Sequence, residues 1–273
     1  MLAKILLYAA TFGAAGGSGF LEANRVLLAG EDRRRIRRWL LLCVLAAAIL
    51  SVVRVLVLAG ALGGGLAPSG ALLRMVLRAG EGRAAAARLA GLLCMGIALR
   101  TERRSILLVV GAMLAASSFA WTGHAWAAPN HDLSITLLVV HLLCIGFWLG
   151  ALVPLLLIVR GNAGTLAAVT ERFGRTAVRV VPLLLLAGAL LLACLLGSVR
   201  ELWSSDYGRL VSLKLAFAAG LLGLAAVNRW RYTPRLRGDP CAIRGLRRSI
   251  QAELVLIGAI LLVTAAFTTL TGP

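Results

Sequence analysis

Three histidines, His124, His131 and His141, are the only ones in a 273-residue chain, and they fall close together. Imidazole is a ligand for copper, zinc, iron and haem iron. Cys144 follows His141 by three residues, so on a helix the two share a face. A thiolate beside an imidazole suits Cu(I), which accepts few and soft ligands. Packing as a small apolar side chain is the other reading of Cys144. Met113 adds a soft donor on the apolar stretch before His124, with core packing as its alternative. Lys214 is a cation inside an apolar stretch, close enough to the outer face to snorkel; its other reading is a contact with Asp206 or Asp132 at about the depth of His141. A second polar group combines Glu253, Asn228 and Arg229. A structural Glu253–Arg229 contact is the expectation there, with a proton relay as the functional alternative.

These residues must be positioned by membrane helices. The chain is 60% hydrophobic, with a mean hydropathy of +0.91, and the apolar residues come in blocks long enough to span a bilayer. Strands crossing a membrane would alternate with a period of two, and no such alternation occurs. In lipid the backbone must satisfy its own polar groups, so the blocks are helices. Spans are expected at about 2–22, 39–61, 85–99, 105–123, 134–158, 176–199, 209–228 and 250–270. The fold class is therefore an all-α integral membrane protein, a bundle of about eight transmembrane helices in the lipid bilayer. A segment over 63–82 with Leu72, Leu73, Met75 and Leu77 beside Arg74 and Arg78 is read either as a surface helix or as a loop.

The formal net charge is +18, and every basic residue except Lys4 and Lys214 is arginine. On a soluble chain this would suggest nucleic acid. Here the arginines cluster in short connections after the first, third, fifth and seventh spans, so they set orientation and no nucleic-acid partner is expected. The Arg-rich side is cytoplasmic by the positive-inside rule, which places both termini, and all three histidines, on the outer side. Cys43, Cys94, Cys144, Cys194 and Cys241 show no paired spacing, and four lie in apolar blocks, which argues against a disulfide framework. There is no phosphate-binding glycine loop, no Ser/His/Asp arrangement and no HExxH. The chain is not expected to be an enzyme.

Tyr8-x4-Gly13-x3-Gly17 in the first span resembles His141-x4-Gly146-x3-Gly150 in the fifth. This spacing is compatible with two parallel four-helix repeats, dividing the chain into halves at 1–130 and 131–273. Small residues four apart also allow two membrane helices to approach closely.

Several short segments together resemble the copper resistance protein D family. They are Thr122-Gly123-His124-Ala125; His141-Leu142-Leu143 with Phe147-Trp148-Leu149-Gly150; Tyr207-Gly208-Arg209-Leu210 before Lys214; Asn228-Arg229 with Thr233-Pro234-Arg235-Leu236; and Arg247-Arg248-Ser249 leading to Glu253. The resemblance covers about residues 120–270. It implies a multi-pass bacterial inner-membrane protein of copper transport or copper resistance, working beside a separate periplasmic copper-binding protein. It carries metal-ligand roles onto His124 and His141 and marks Trp148 as a functional candidate; position along the chain offers His131 or Cys144 as a third ligand. The family's acidic residue three positions before the second histidine is Leu138 here, so His131 or Asp132 would have to substitute. The resulting expectation is a copper site, favouring Cu(I), near the periplasmic face between the fourth and fifth spans. Haem b held by the same histidines is one alternative, and a non-catalytic membrane assembly or structural factor is another.

Overall fold

A computed structural model describes the chain except residues 1, 64, 66–68, 102–104, 123–130, 196–205 and 271–273, with backbone alone at 105, 195, 206–207 and 266–270. Nine α-helices make up the described residues: α1 (Leu2–Ala23), α2 (Gly30–Leu62), α3 (Gly70–Arg78), α4 (Gly80–Thr101), α5 (Ser105–Ser117), α6 (His131–Ile158), α7 (Ala163–Leu195), α8 (Asp206–Val227) and α9 (Pro240–Leu270). A 3-10 turn, Ser118–Trp121, extends α5, and a π-helical turn, Asn228–Tyr232, extends α8. Every expected apolar block falls within one of these elements or runs from it into undescribed residues. The 63–82 stretch contains a helix, α3, whose Val76 is buried against Val55, Ala59 and Ala85.

The architecture is the one lipid demands: each helix satisfies its own backbone and turns its outer face to hydrocarbon. On α2 that face is Leu42, Leu45, Ile49, Val52 and Leu56, all exposed. Six helices, α2, α4, α6, α7, α8 and α9, are long and apolar enough to cross a membrane. The two further spans expected from sequence, α1 and α5, differ for separate reasons. α5 is short at 13 residues. α1 has 22 residues but carries Lys4, Glu22 and many small side chains. It packs against α2, α5 and α6, so little of it needs to match lipid.

Close packing follows from glycine. α1 and α6 run side by side in parallel, with Phe12 beside Gly146 and Gly17 beside Gly150. A Cβ at Gly16 would overlap the Gly146 carbonyl, and one at Gly150 would overlap the Gly16 and Gly17 backbone. A second seam joins α4 to α5, where a Cβ on Gly91 would lie 2.6 Å from the Gly111 carbonyl oxygen. Both seams bring backbones closer than any other residue allows.

In the first half α1, α2, α4 and α5 close into a four-helix bundle, each packed on two of the others. In the second half α6 packs on α7 and α8 on α9, but α7 and α8 share no packed face among the described residues. Consecutive helices alternate in direction, so the bundle has two ends. One gathers the α1–α2, α6–α7 and α8–α9 connections and most of the arginines; there Gly161 lies against Asp32, and Arg237 pairs with Glu171 at 3.4 Å. The other holds the start of α6 and His141.

Candidate functional site

His141 is held one-third of the way along α6 and points at α7. Its Nδ1 lies 3.3 Å from the Leu184 carbonyl oxygen. A carbonyl only accepts, so Nδ1 carries the proton and donates it, which leaves the Nε2 lone pair available. Gly188 makes this approach possible: a Cβ there would come within 3.1 Å of the ring. The ring is half-buried, and Lys214 on α8 is near enough to act on it electrostatically. Asp132, one of the expected partners of Lys214, is 94% exposed beside His131. The side chain of Asp206, the other, is outside the described residues.

Cys144 is buried one turn beyond His141, and Trp148 one turn further. With 3.6 residues per turn, positions i, i+3 and i+7 share a face, so α6 presents imidazole, thiol and indole in a row. His131 sits at the first residue of α6, exposed, with its Nε2 3.1 Å from Asp132 Oδ1. Ten residues of helix separate it from His141, roughly 15 Å along the axis. The two histidines cannot meet around one ion while α6 stays helical. His124 lies outside the described residues. Met113 on α5 is exposed, away from the bundle interior. Among the described residues no group of three or more His, Cys, Asp or Glu side chains converges to hold a metal. The donors that do lie together, an imidazole nitrogen and a thiol one turn apart, suit a soft ion of low coordination number better than zinc, which normally takes four ligands in a closed site.

The other end of the same α6 face meets a buried carboxylate. Glu253 on α9 is 2% exposed. It accepts from Trp148 Nε1 at 3.1 Å and from the Asn228 amide. Asn228 opens the π-helical turn, an element often found at functional sites. Its Oδ1 is buried with no hydrogen-bond partner, while its main-chain carbonyl accepts from Thr233 Oγ1 at 2.7 Å. The Glu253–Arg229 contact expected from sequence does not form. Successive helical residues diverge by about 100°, so when Asn228 faces α9, Arg229 turns away, towards Gly174 on α7. Two neutral donors thus surround Glu253 where a cation was expected.

Sequence spacing also does not join Arg54, Glu81 and Arg88, which the fold brings to one end of the first half. Their only signal in the sequence is that each interrupts or borders an apolar stretch.

Comparison with known proteins places these features. Residues 1–132 match the family described as copper resistance protein D-like, N-terminal domain, and residues 167–267 match copper resistance protein D. The chain belongs to the copper resistance protein D family. The second matched segment contains Lys214, Asn228, Arg229 and Glu253, whereas His141 and Cys144 lie between the two segments. Over 174 residues the chain is 30% identical to copper resistance protein D of Pseudomonas syringae pv. tomato, covering 57% of this chain and 56% of that protein. Over 159 residues it is 28% identical to the copper transport protein CutJ of Bacillus subtilis (strain 168), covering 56% of this chain and 28% of that protein. The chain thus spans about half of the first relative and less of the second. No solved structure matches it. With its apolar helices, this family member is a multi-pass membrane protein.

Proposed function

We propose that this chain handles copper as cargo in the bacterial inner membrane, accepting the ion at the periplasmic face and serving its transport or the cell's resistance to it. His141 is the anchoring ligand. The observation that carries this reading is its hydrogen bond to the Leu184 carbonyl, which orients the ring and leaves Nε2 as a donor, with the Cys144 thiol one turn away. That pair favours Cu(I). His124 is the proposed second imidazole, and a separate periplasmic copper-binding protein is the proposed source of the ion. The Arg-rich end is cytoplasmic, α1 and α5 complete eight spans, and both termini are periplasmic. The Tyr8 and His141 motifs belong to two parallel halves that meet at the α1–α6 glycine seam. No reaction is assigned to the chain.

The test is the copper content of the purified protein, with and without reductant, in wild type, His141→Ala and His124→Ala. Each substitution should remove most of the copper and leave the helical circular dichroism unchanged, with His131→Ala milder. Copper retained at full stoichiometry in both variants would move the site elsewhere. A Soret band in the wild-type spectrum would replace copper by haem b.

A further inference from the structure

The first half holds a charge arrangement that the copper reading does not use. Arg88 lies within α4 and is 2% exposed. Its Nε donates to Ser118 Oγ at 3.0 Å, and its guanidinium sits 4.1 Å over the centroid of Phe119. Neither partner is an anion. The carboxylate nearest in the fold, Glu81, is already paired with Arg54 at 2.7 Å. Tyr8 on α1 meets Phe119 edge to face at 4.7 Å and lies within electrostatic reach of Arg54, Arg88 and Glu81. Lys4, one turn earlier on α1, adds a third cation that feels both Arg54 and Glu81. Arg54 and Arg88 therefore share one nearby carboxylate, which is already paired with Arg54, at a single end of the closed bundle.

Burying a guanidinium without a charged partner is strongly unfavourable. Cation–π contact with Phe119 offsets part of this, and Ser118 satisfies one donor. The terminal nitrogens of Arg88 donate to no described residue. Arg54 and Glu81, whose side chains are 31% and 29% exposed, form the mouth of the group, and the short amphipathic α3 packs on α2 and α4 through Val76, against Val55 and Ala85.

We propose that α1, α2 and α4 form a binding site for a phosphate-class oxoanion, held by Arg88 and Arg54, with the Tyr8 hydroxyl as a further donor. The guanidinium fork matches the paired oxygens of a phosphate. A surplus of positive charge beside a single occupied carboxylate suits a phosphate better than a neutral ligand. The phosphate can come from the headgroup of an anionic lipid, entering beneath the exposed apolar side of α3 with its Met75 and Leu77, or from inorganic phosphate in solution. The site is independent of His141, which lies in the other half, and does not rest on the copper reading.

The experiment uses the purified, delipidated full chain in a neutral detergent. Thermal unfolding is followed while inorganic phosphate, phosphatidylglycerol or diacylglycerol with the same acyl chains is added in turn. Phosphatidylglycerol or inorganic phosphate should raise the midpoint by a few degrees, and diacylglycerol should not. A rise with inorganic phosphate identifies a soluble anion as sufficient, and a rise with phosphatidylglycerol alone identifies the lipid headgroup. Arg88→Met and Arg54→Gln should each weaken the effect at least about tenfold, with copper content unchanged. Arg54 is partly exposed, so Arg54→Gln carries the test if Arg88→Met fails to fold. The proposal is overturned if neither phosphate source shifts the wild type, or if Arg54→Gln responds as the wild type does.

Discussion

The two halves use the same kind of apolar helix and pack it differently. In the first half the apolar stretches of α2 and α4 are 22% and 50% buried inside the protein; in the second, those of α6 and α9 are 39% and 28% buried, and those of α7 and α8 only 11% and 6%. The first half is closed by the α4–α5 glycine seam, and a second glycine seam ties its α1 to α6. In the second, α7 and α8 share no packed face among the described residues, and the functional candidates His141, Lys214 and Glu253 lie on α6, α8 and α9. A closed bundle can hold a charge only by surrounding it, as Arg88 is surrounded. An open one can let an ion in and out.

The sharpest way to break this contrast is to add one methyl group to each half. Gly91→Ala places a Cβ 2.6 Å from the Gly111 carbonyl oxygen, within the first half, and should destabilise the protein by about 3 kcal/mol or more, since overpacking against backbone cannot relax. Gly223 and Gly258 have open space around them, so alanine at either should leave stability unchanged or raise it by about 0.5–1 kcal/mol. Thermal unfolding in detergent measures both, and equal effects in the two halves would remove the distinction.

Glu253 gives the next largest effect. Glu253→Ala leaves the Trp148 indole N–H and the Asn228 amide buried without an acceptor, at a cost of about 2–3 kcal/mol. Glu253→Gln should cost less than about 1 kcal/mol, because the Gln carbonyl can still accept from Trp148 and its amide can donate to the unpartnered Asn228 Oδ1. Equal losses for the two variants would show that the charge, and not the hydrogen bonds, holds the cluster. Tryptophan fluorescence reports the indole environment in each.

Lys214 sharpens the account of the open half. It lies within electrostatic reach of His141, and as a cation it would repel a copper ion bound there. Lys214→Met should tighten copper binding about five- to tenfold, the size of a single charge interaction at partly screened distance. Weaker binding in this variant would make Lys214 part of the site. The smallest effect belongs to the exposed pair Arg237–Glu171, where Arg237→Ala should change stability by no more than about 0.5 kcal/mol.

The apolar blocks could be read directly from the sequence because a helix in lipid has no alternative partner for its backbone, so hydropathy and helicity coincide. That rule weakened at α1, where Gly13, Gly16 and Gly17 serve a neighbouring helix and not lipid. It was also silent on Arg88: an arginine at the edge of an apolar block can snorkel or be buried, and only the position of Phe119 and Ser118 decides which. Met113 was ambiguous for the same reason, since a thioether suits a core and a lipid face equally.

The sequence by itself determined the helical class, the side on which arginines gather, the proximity of Cys144 to His141, and the resemblance that the family matches bear out. These are properties of composition and of spacing along one helix, where 3.6 residues per turn leaves no freedom. The tertiary structure decided the pairings between helices. The partner of His141 is a backbone carbonyl 43 residues away, and every residue has a carbonyl, so nothing in the sequence singles out Leu184. Glu253 met Asn228 and Trp148 because the rotation of α8 about its own axis set which of two adjacent residues faced it. That rotation is fixed by packing, and packing is a property of several helices at once.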